Sequence, residues 1–210
     1  MTKLSSLTAF FLISFSCITD AQTITIGKQV WMTHNLNVRT FRNGDTIPQA
    51  KTDEEWEKAD KNKQPAWCYN ENIATNGIKY GKLYNWYAVN DPRGLAPIGY
   101  HIPTNDEWTI LINYLGGEDE AGKKMKSTSG WKDNGNGTNE SGFSGLPGGY
   151  RYPSSEGSFE SIGSCGGWWS STEMERDTVY AEFRIVRYDG EIITDAFLKI
   201  CGFSVRCLKD

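Results

Sequence analysis

The sequence predicts one β-rich α+β domain, and three observations carry that prediction. Aromatic and glycine residues are abundant, with 10 Tyr, 9 Phe, 8 Trp and 22 Gly among 210 residues. Such a mix suits short strands and shaped loops better than a helix bundle. The C-terminal third alternates apolar and polar side chains between turn signals, the period of half-buried strands. Two helix-start signatures, at Thr52 and Thr104, lie ahead of it.

In chain order, Thr23-Ile24-Thr25-Ile26 alternates, turns at Gly27-Lys28, and continues as Gln29-Val30-Trp31-Met32. This is a hairpin pattern. Asn43-Gly44-Asp45 signals another turn. Thr52-Asp53-Glu54-Glu55 is a capping box before a short polar helix ending near Ala59, followed by a solvated loop to Gln64. Tyr80 to Val89 is aromatic and expected to be buried, either as a helix or as an extended piece. Thr104-Asn105-Asp106-Glu107 is a second capping box. Behind it Trp108, Leu111, Ile112 and Leu115 fall on one helical face, and Gly116-Gly117 ends the helix. Another short helix is compatible with Glu120 to Ser127, and Asp133 to Gly142 is loop by composition.

Strands follow. Trp168 to Thr172 is short, and Thr178 to Tyr188 places Val179, Ala181, Phe183 and Ile185 on one face, with Tyr180, Glu182 and Arg184 on the other. Asp189-Gly190 turns the chain into Glu191 to Leu198, and Gly202 to Leu208 reads as the closing strand. No repeat or linker interrupts this order, so residues 22–210 are expected to form one domain: two short helices beside a mainly antiparallel sheet.

Net charge is −4, without a dense Lys/Arg stripe, which argues against nucleic acid as a partner. Residues 1–21 read as a signal peptide. Lys3 supplies the positive start, Leu7 to Phe15 is an apolar run too short to span a bilayer, and Thr19-Asp20-Ala21 suits cleavage before Gln22. Ser14-Phe15-Ser16-Cys17 offers the alternative of a lipid anchor at Cys17. Either route exports the protein, to be secreted or held at the cell surface or in the periplasm.

Four cysteines remain after that segment: Cys68, Cys165, Cys201 and Cys207. An even number in an exported chain suggests disulfides, with three connectivities open. The favoured pairings are Cys68–Cys207, tying the middle of the chain to its end, and Cys165–Cys201. Zinc and redox sites are disfavoured because no CxxC occurs, and His34 and His101 stand far apart. No metal or cofactor is expected. His101, beside Ile102-Pro103, reads as a satisfied loop residue.

Several stretches together resemble the Fibrobacter succinogenes major paralogous domain family of exported bacterial domains. They are Gly27 to Met32 with Asn35-Leu36, Tyr84 to Ala88, Ala96 to Thr104 with Glu107-Trp108, Gly142 to Arg151, Trp168 to Thr172, and Gly202 to Cys207. They occur in order and span almost all of the chain beyond residue 21. The resemblance implies a fold related to C-type lectins and to formylglycine-generating enzymes. In that fold terminal strands pair, two helices flank the sheet, and a long loop region carries the binding surface.

The lectin calcium triplets Glu-Pro-Asn and Trp-Asn-Asp are missing, since the tryptophan strand here runs Trp169-Ser170-Ser171-Thr172-Glu173. Asp133, Asn134, Asn136, Asn139 and Glu140 are explained by turn formation and solvation. The enzyme alternative would need Cys201 and Cys207 as free, copper-reactive thiols. No nucleophile elbow or phosphate loop is found. The expectation is therefore a non-catalytic module binding a glycan or a protein, with an inert structural surface protein as a further alternative. Tyr150, Arg151, Tyr152, Trp168, Trp169 and Arg184 combine flat apolar faces with hydrogen-bond donors. One tryptophan of the pair is expected to point inward and the other outward.

Overall fold

β1 (Thr23–Ile26) and β2 (Gln29–Met32) form the expected antiparallel hairpin in the computed structural model, which describes residues 22–152 and 159–210. The expected signal peptide and Cys17 lie outside the described residues. Gly27 turns the hairpin at φ 63°, and a Cβ there would stand 2.9 Å from the Tyr114 ring, so geometry and space both require glycine.

α1 (Asp53–Lys61) starts at Thr52, whose side chain accepts from the Glu55 amide. The box is incomplete, because the Glu55 carboxylate accepts from the Lys51 amide instead of the Thr52 amide. β3 (Trp67–Cys68) pairs with β4 (Leu83–Tyr84), and α2 (Ala74–Tyr80) lies between them in the chain. The aromatic run 80–89 is thus neither one helix nor one strand. It comprises the end of α2, β4, and α3 (Trp86–Val89), which Asn85 caps.

β5 (Tyr100–His101) leads to α4 (Asn105–Tyr114), whose capping box is complete between Thr104 and Glu107. Its predicted face is buried at Trp108, Leu111, Ile112 and Leu115. α5 (Glu118–Met125) follows. Then come β6 (Gly148–Arg151), β7 (Phe159–Ile162), β8 (Cys165–Glu173), β9 (Tyr180–Arg187), β10 (Ile192–Leu198) and β11 (Leu208–Lys209).

Among the described residues three sheets result. The first has the order β1-β2-β11-β5, so the two ends of the domain are neighbours, with Leu208 opposite Trp31. The second has the order β10-β9-β8-β6-β7 and is antiparallel except between β6 and β8. β3 and β4 make the third. The expected closing strand 202–208 is shorter as a strand but longer in reach. Gly202 bridges Arg151, Phe203 bridges Tyr84, and Ser204 bridges Trp168 before β11 begins. One extended segment therefore touches all three sheets.

The five-stranded sheet is covered on both faces. Trp169, Ala181, Phe183 and Ile185 face one core with Tyr84, Phe203 and Val205. Trp168, Val186 and Ile192 face another, closed by α4, α5, Trp31 and Phe143. A third, smaller core gathers Trp56, Cys68, Leu83 and Ile200.

This arrangement corrects two expectations. Trp168 and Trp169 do point to opposite faces, but neither is outward: they are 1% and 0% exposed. Cys68, Cys165, Cys201 and Cys207 are free thiols, so neither Cys68–Cys207 nor Cys165–Cys201 is formed. Cys68 lies in the small core, while Cys165, Cys201 and Cys207 lie in the first one. An even cysteine count speaks for a compartment but carries no geometry. Here the thiols fill apolar space as small hydrophobic groups.

α5 meets the β9–β10 turn at Gly122. A Cβ on Gly122 would stand 2.0 Å from the Gly190 carbonyl oxygen, which is backbone and cannot swing aside. Alanine gains about 1 kcal/mol over glycine in a helix, whereas overpacking costs about 1–3 kcal/mol. Gly122→Ala is therefore expected to lower the urea unfolding midpoint despite its better helix propensity. An unchanged or raised midpoint would show that α5 is not seated on that turn.

Candidate functional site

Of the residues singled out in the sequence, Tyr150 lines a cavity, and that cavity is the candidate site. It is a cleft of about 300 Å³ at the end of the five-stranded sheet. β8 and β9 pair Cys165 with Arg187 at its base, and β6 brings Tyr150 beside it. Ile185, Ile193 and Cys165 form an apolar floor; Tyr150, Tyr188, Ser161, Ser164, Lys132 and Arg187 form the walls.

Each wall is held by local structure. Tyr150 stacks on Phe203 with ring centroids 5.3 Å apart and donates its hydroxyl to Glu160 Oε2 at 3.1 Å. Burial, reinforced by Glu160, raises the pKa of that phenol, so it stays protonated at neutral pH. Tyr188 is fixed by its backbone, which donates to Ser164 O at 2.7 Å and accepts from Lys126 Nζ at 2.6 Å. Its ring packs in part against the core that holds Trp168 and Val186, and Lys132 Nζ stands 4.9 Å from its centroid. Ser161 sits at φ 65°, a conformation unusual for serine, in a turn that Gly163 completes. Arg187 pairs with Glu191 at 2.8 Å, and Lys132 with Asp133 at 4.0 Å. The Cys165 thiol is pushed up to about 11 by burial, which leaves it a protonated, weakly nucleophilic group.

The other residues predicted to bind a ligand do not join this cleft, although Cys165, expected in a disulfide, does. Tyr152 is 37% exposed and packs edge-on against Phe197 at 5.6 Å. Arg151 is buried between Trp56 and Phe159, 4.6 and 4.9 Å from their ring centroids, and bonds Asp53 Oδ1 at 2.5 Å. Arg184 is buried against Asn105 and the Phe183 carbonyl. Trp168 and Trp169 donate their indole N–H to Asn35 Oδ1 and Tyr84 O, each at 2.8 Å. These four side chains are structural. The sequence reading missed Tyr188 as a wall residue, along with Lys132, Ser161 and Ser164. Only the position of Tyr188 beside the Asp189-Gly190 turn hinted that it stands at a sheet end.

Cys201 and Cys207 are free, as the oxidase alternative requires, yet both are 0% exposed. Burial pushes the Cys207 thiol up to about 12 and raises Cys201 as well. Neither lines the cleft.

Fold and cleft together define an α+β domain joined at its own ends, with a small mixed aromatic and polar cleft at the end of its largest sheet. The sequence pattern of the Fibrobacter succinogenes major domain family matches residues 24–209, and the chain belongs to that family. Comparison with curated proteins and with solved structures finds no match.

A second polar cluster lies at the domain's joined ends. His101 on β5 meets Asp210 Oδ1 through Nδ1 at 2.8 Å and Glu107 Oε1 through Nε2 at 2.9 Å. Both ring nitrogens face carboxylates, so the imidazolium form satisfies them best, and His101 is a clamp with no nitrogen left over for catalysis. Burial opposes its charge, but the bonds to Asp210 and Glu107 outweigh burial and raise its pKa. Burial likewise opposes ionisation of Glu107, but the Thr104 amide and His101 outweigh it and lower the Glu107 pKa. A raised histidine contributes stability below its unfolded pKa, and that contribution is lost as pH rises through the folded value. A lowered carboxylate contributes above its unfolded pKa and loses it as pH falls through the folded value. The clamp is therefore strongest between the ordinary glutamate and histidine values, about 4.3 and 6.5. His101→Gln is expected to remove the decline in stability just above that window, as measured by urea unfolding at stepped pH. A variant that keeps the full decline would assign it to other groups.

Proposed function

We propose that this domain is an exported, non-catalytic binding module whose ligand is a glycan seated in the Tyr150–Tyr188 cleft. The observation that carries the reading is the pairing of two phenol rings with two serine hydroxyls over an aliphatic floor. Sugar rings offer apolar C–H faces and a rim of hydroxyls, and this lining matches both. Lys132 and Arg187 at the edge favour an acidic or hydroxyl-rich sugar. The protonated Cys165 thiol and Tyr150 phenol supply hydrogen-bonding and packing groups, which fits binding better than nucleophilic chemistry. Export is supported by the apolar stretch Leu7 to Phe15 behind Lys3.

The test is a glycan array probed with residues 22–210, with calcium and again with chelator. Saturable binding to a related set of sugars is expected. Tyr188→Ala should then weaken binding about tenfold or more, roughly one aromatic platform's contribution. Tyr188→Phe should retain most of the affinity. Equal binding by Tyr188→Ala, or no sugar bound by the folded domain, would defeat the reading.

A further inference from the structure

A larger groove, about 530 Å³, lies on another part of the molecule between α1 and the segment Pro48-Gln49-Ala50. Its chemistry differs from that of the Tyr150–Tyr188 cleft. The floor is small and apolar, made by Ala59, Pro65 and Ala66, and no aromatic side chain lines it. Lys58 and Gln64 stand at the walls, exposed, and among the described residues neither side chain has a partner.

The backbone beside this groove is an open strand edge. Residues 48–50 run parallel to β3, with Gln49 opposite Trp67. Trp67 N donates to Pro48 O at 3.0 Å, and Ala50 N donates to Trp67 O at 2.9 Å. A parallel ladder of this kind uses the flanking residues, so the N–H and C=O of Gln49 point away from β3. Among the described residues neither group has a hydrogen-bond partner. A donor and acceptor on one extended residue, bordering a groove whose opposite wall is a helix, match the requirements of an added strand.

We infer that this groove docks an extended peptide of a partner protein, which pairs with the main chain of Gln49 and lays small, uncharged side chains on the alanine and proline floor. The floor offers only small apolar side chains, and the walls carry one charge of each sign, Glu55 and Lys58, so neither sign is selected. Without an aromatic platform, a sugar ring has little to stack on here. The site therefore differs from the proposed glycan cleft and does not rest on it.

Panning residues 22–210 against phage-displayed random peptides should enrich short, extended sequences with small side chains. On binding a selected peptide, the Gln49 amide should gain protection from hydrogen exchange, followed by NMR. Gln49→Ala keeps the main-chain N–H and should bind within about twofold of the parent. Gln49→Pro removes that N–H and should lose about fivefold to tenfold, the worth of one main-chain hydrogen bond. Lys58→Trp, at an exposed position, fills the groove and should block the peptide even if Gln49→Pro fails to fold. Glycan binding should be untouched by Lys58→Trp. Failure to enrich any peptide on folded protein, or equal binding by Lys58→Trp, would overturn the proposal. So would loss of sugar binding in that variant, which would make the groove the glycan site.

Discussion

The buried contact between Arg206 and Asn35 is the constraint on which the rest of the structure depends. Arg206 is 1% exposed, and among the described residues none of its hydrogen-bond partners is a carboxylate. Its guanidinium donates to Asn35 Oδ1 from Nε at 3.1 Å and from Nη2 at 2.8 Å. Nη1 donates to the carbonyls of Met32 and Phe143 at 3.0 and 2.5 Å. Burial lowers its pKa to about 9. A cation without a counter-ion is tolerated in a core only where neutral dipoles are held firmly around it. Asn35 is oriented for that task, since its amide nitrogen donates to Tyr80 O and its oxygen also accepts from Trp168. The node thus joins the loop after β2, the end of α2, the Phe143 loop and β8 to the closing segment.

From that node follows the burial that overturned the expected binding patch. Once residues 202–206 are pinned across three sheets, both faces of the central sheet are covered, one by Phe203 and Val205 and the other by α4, α5 and Phe143. Arg151 and Arg184 are then roofed over, and aromatic rings or helix-end oxygens replace the ligands they were expected to meet. Their orphaned atoms, Arg151 Nε and Nη1 and Arg184 Nε, are buried rather than aimed at a cleft. The two places where we propose recognition, the sheet end at Tyr188 and the strand edge at Gln49, lie outside that covered region.

Local signals were legible where the deciding physics is local. The hairpin at Gly27 and the helix behind Thr104 depend on neighbours within a few residues, and both follow the sequence. The helix behind Thr52 starts as predicted, but its box fails because Lys51 competes for Glu55. Period-two alternation correctly separated Trp168 from Trp169, yet it says which face a side chain takes and nothing about what covers that face. The closing strand was misjudged for a related reason: its partners lie in three different sheets, so no run of residues long enough to read as a regular ladder exists.

The candidate sites were legible to the degree that side chains mark them. Tyr150 stood out because a tyrosine beside arginine in a glycine-rich stretch is chemically conspicuous. Tyr188 did not, since at a strand end it reads as ordinary sheet composition until Ser164 and Lys126 fix its backbone and set the ring at the cleft wall. The Gln49 edge was beyond reach, because its recognition chemistry is main chain and every residue carries the same amide. Only the pairing of Pro48 and Ala50 with Trp67 decides that this particular amide is left over. Both proposed sites thus lie at the margins of a covered central sheet. One margin here is equipped with rings and hydroxyls, the other with backbone.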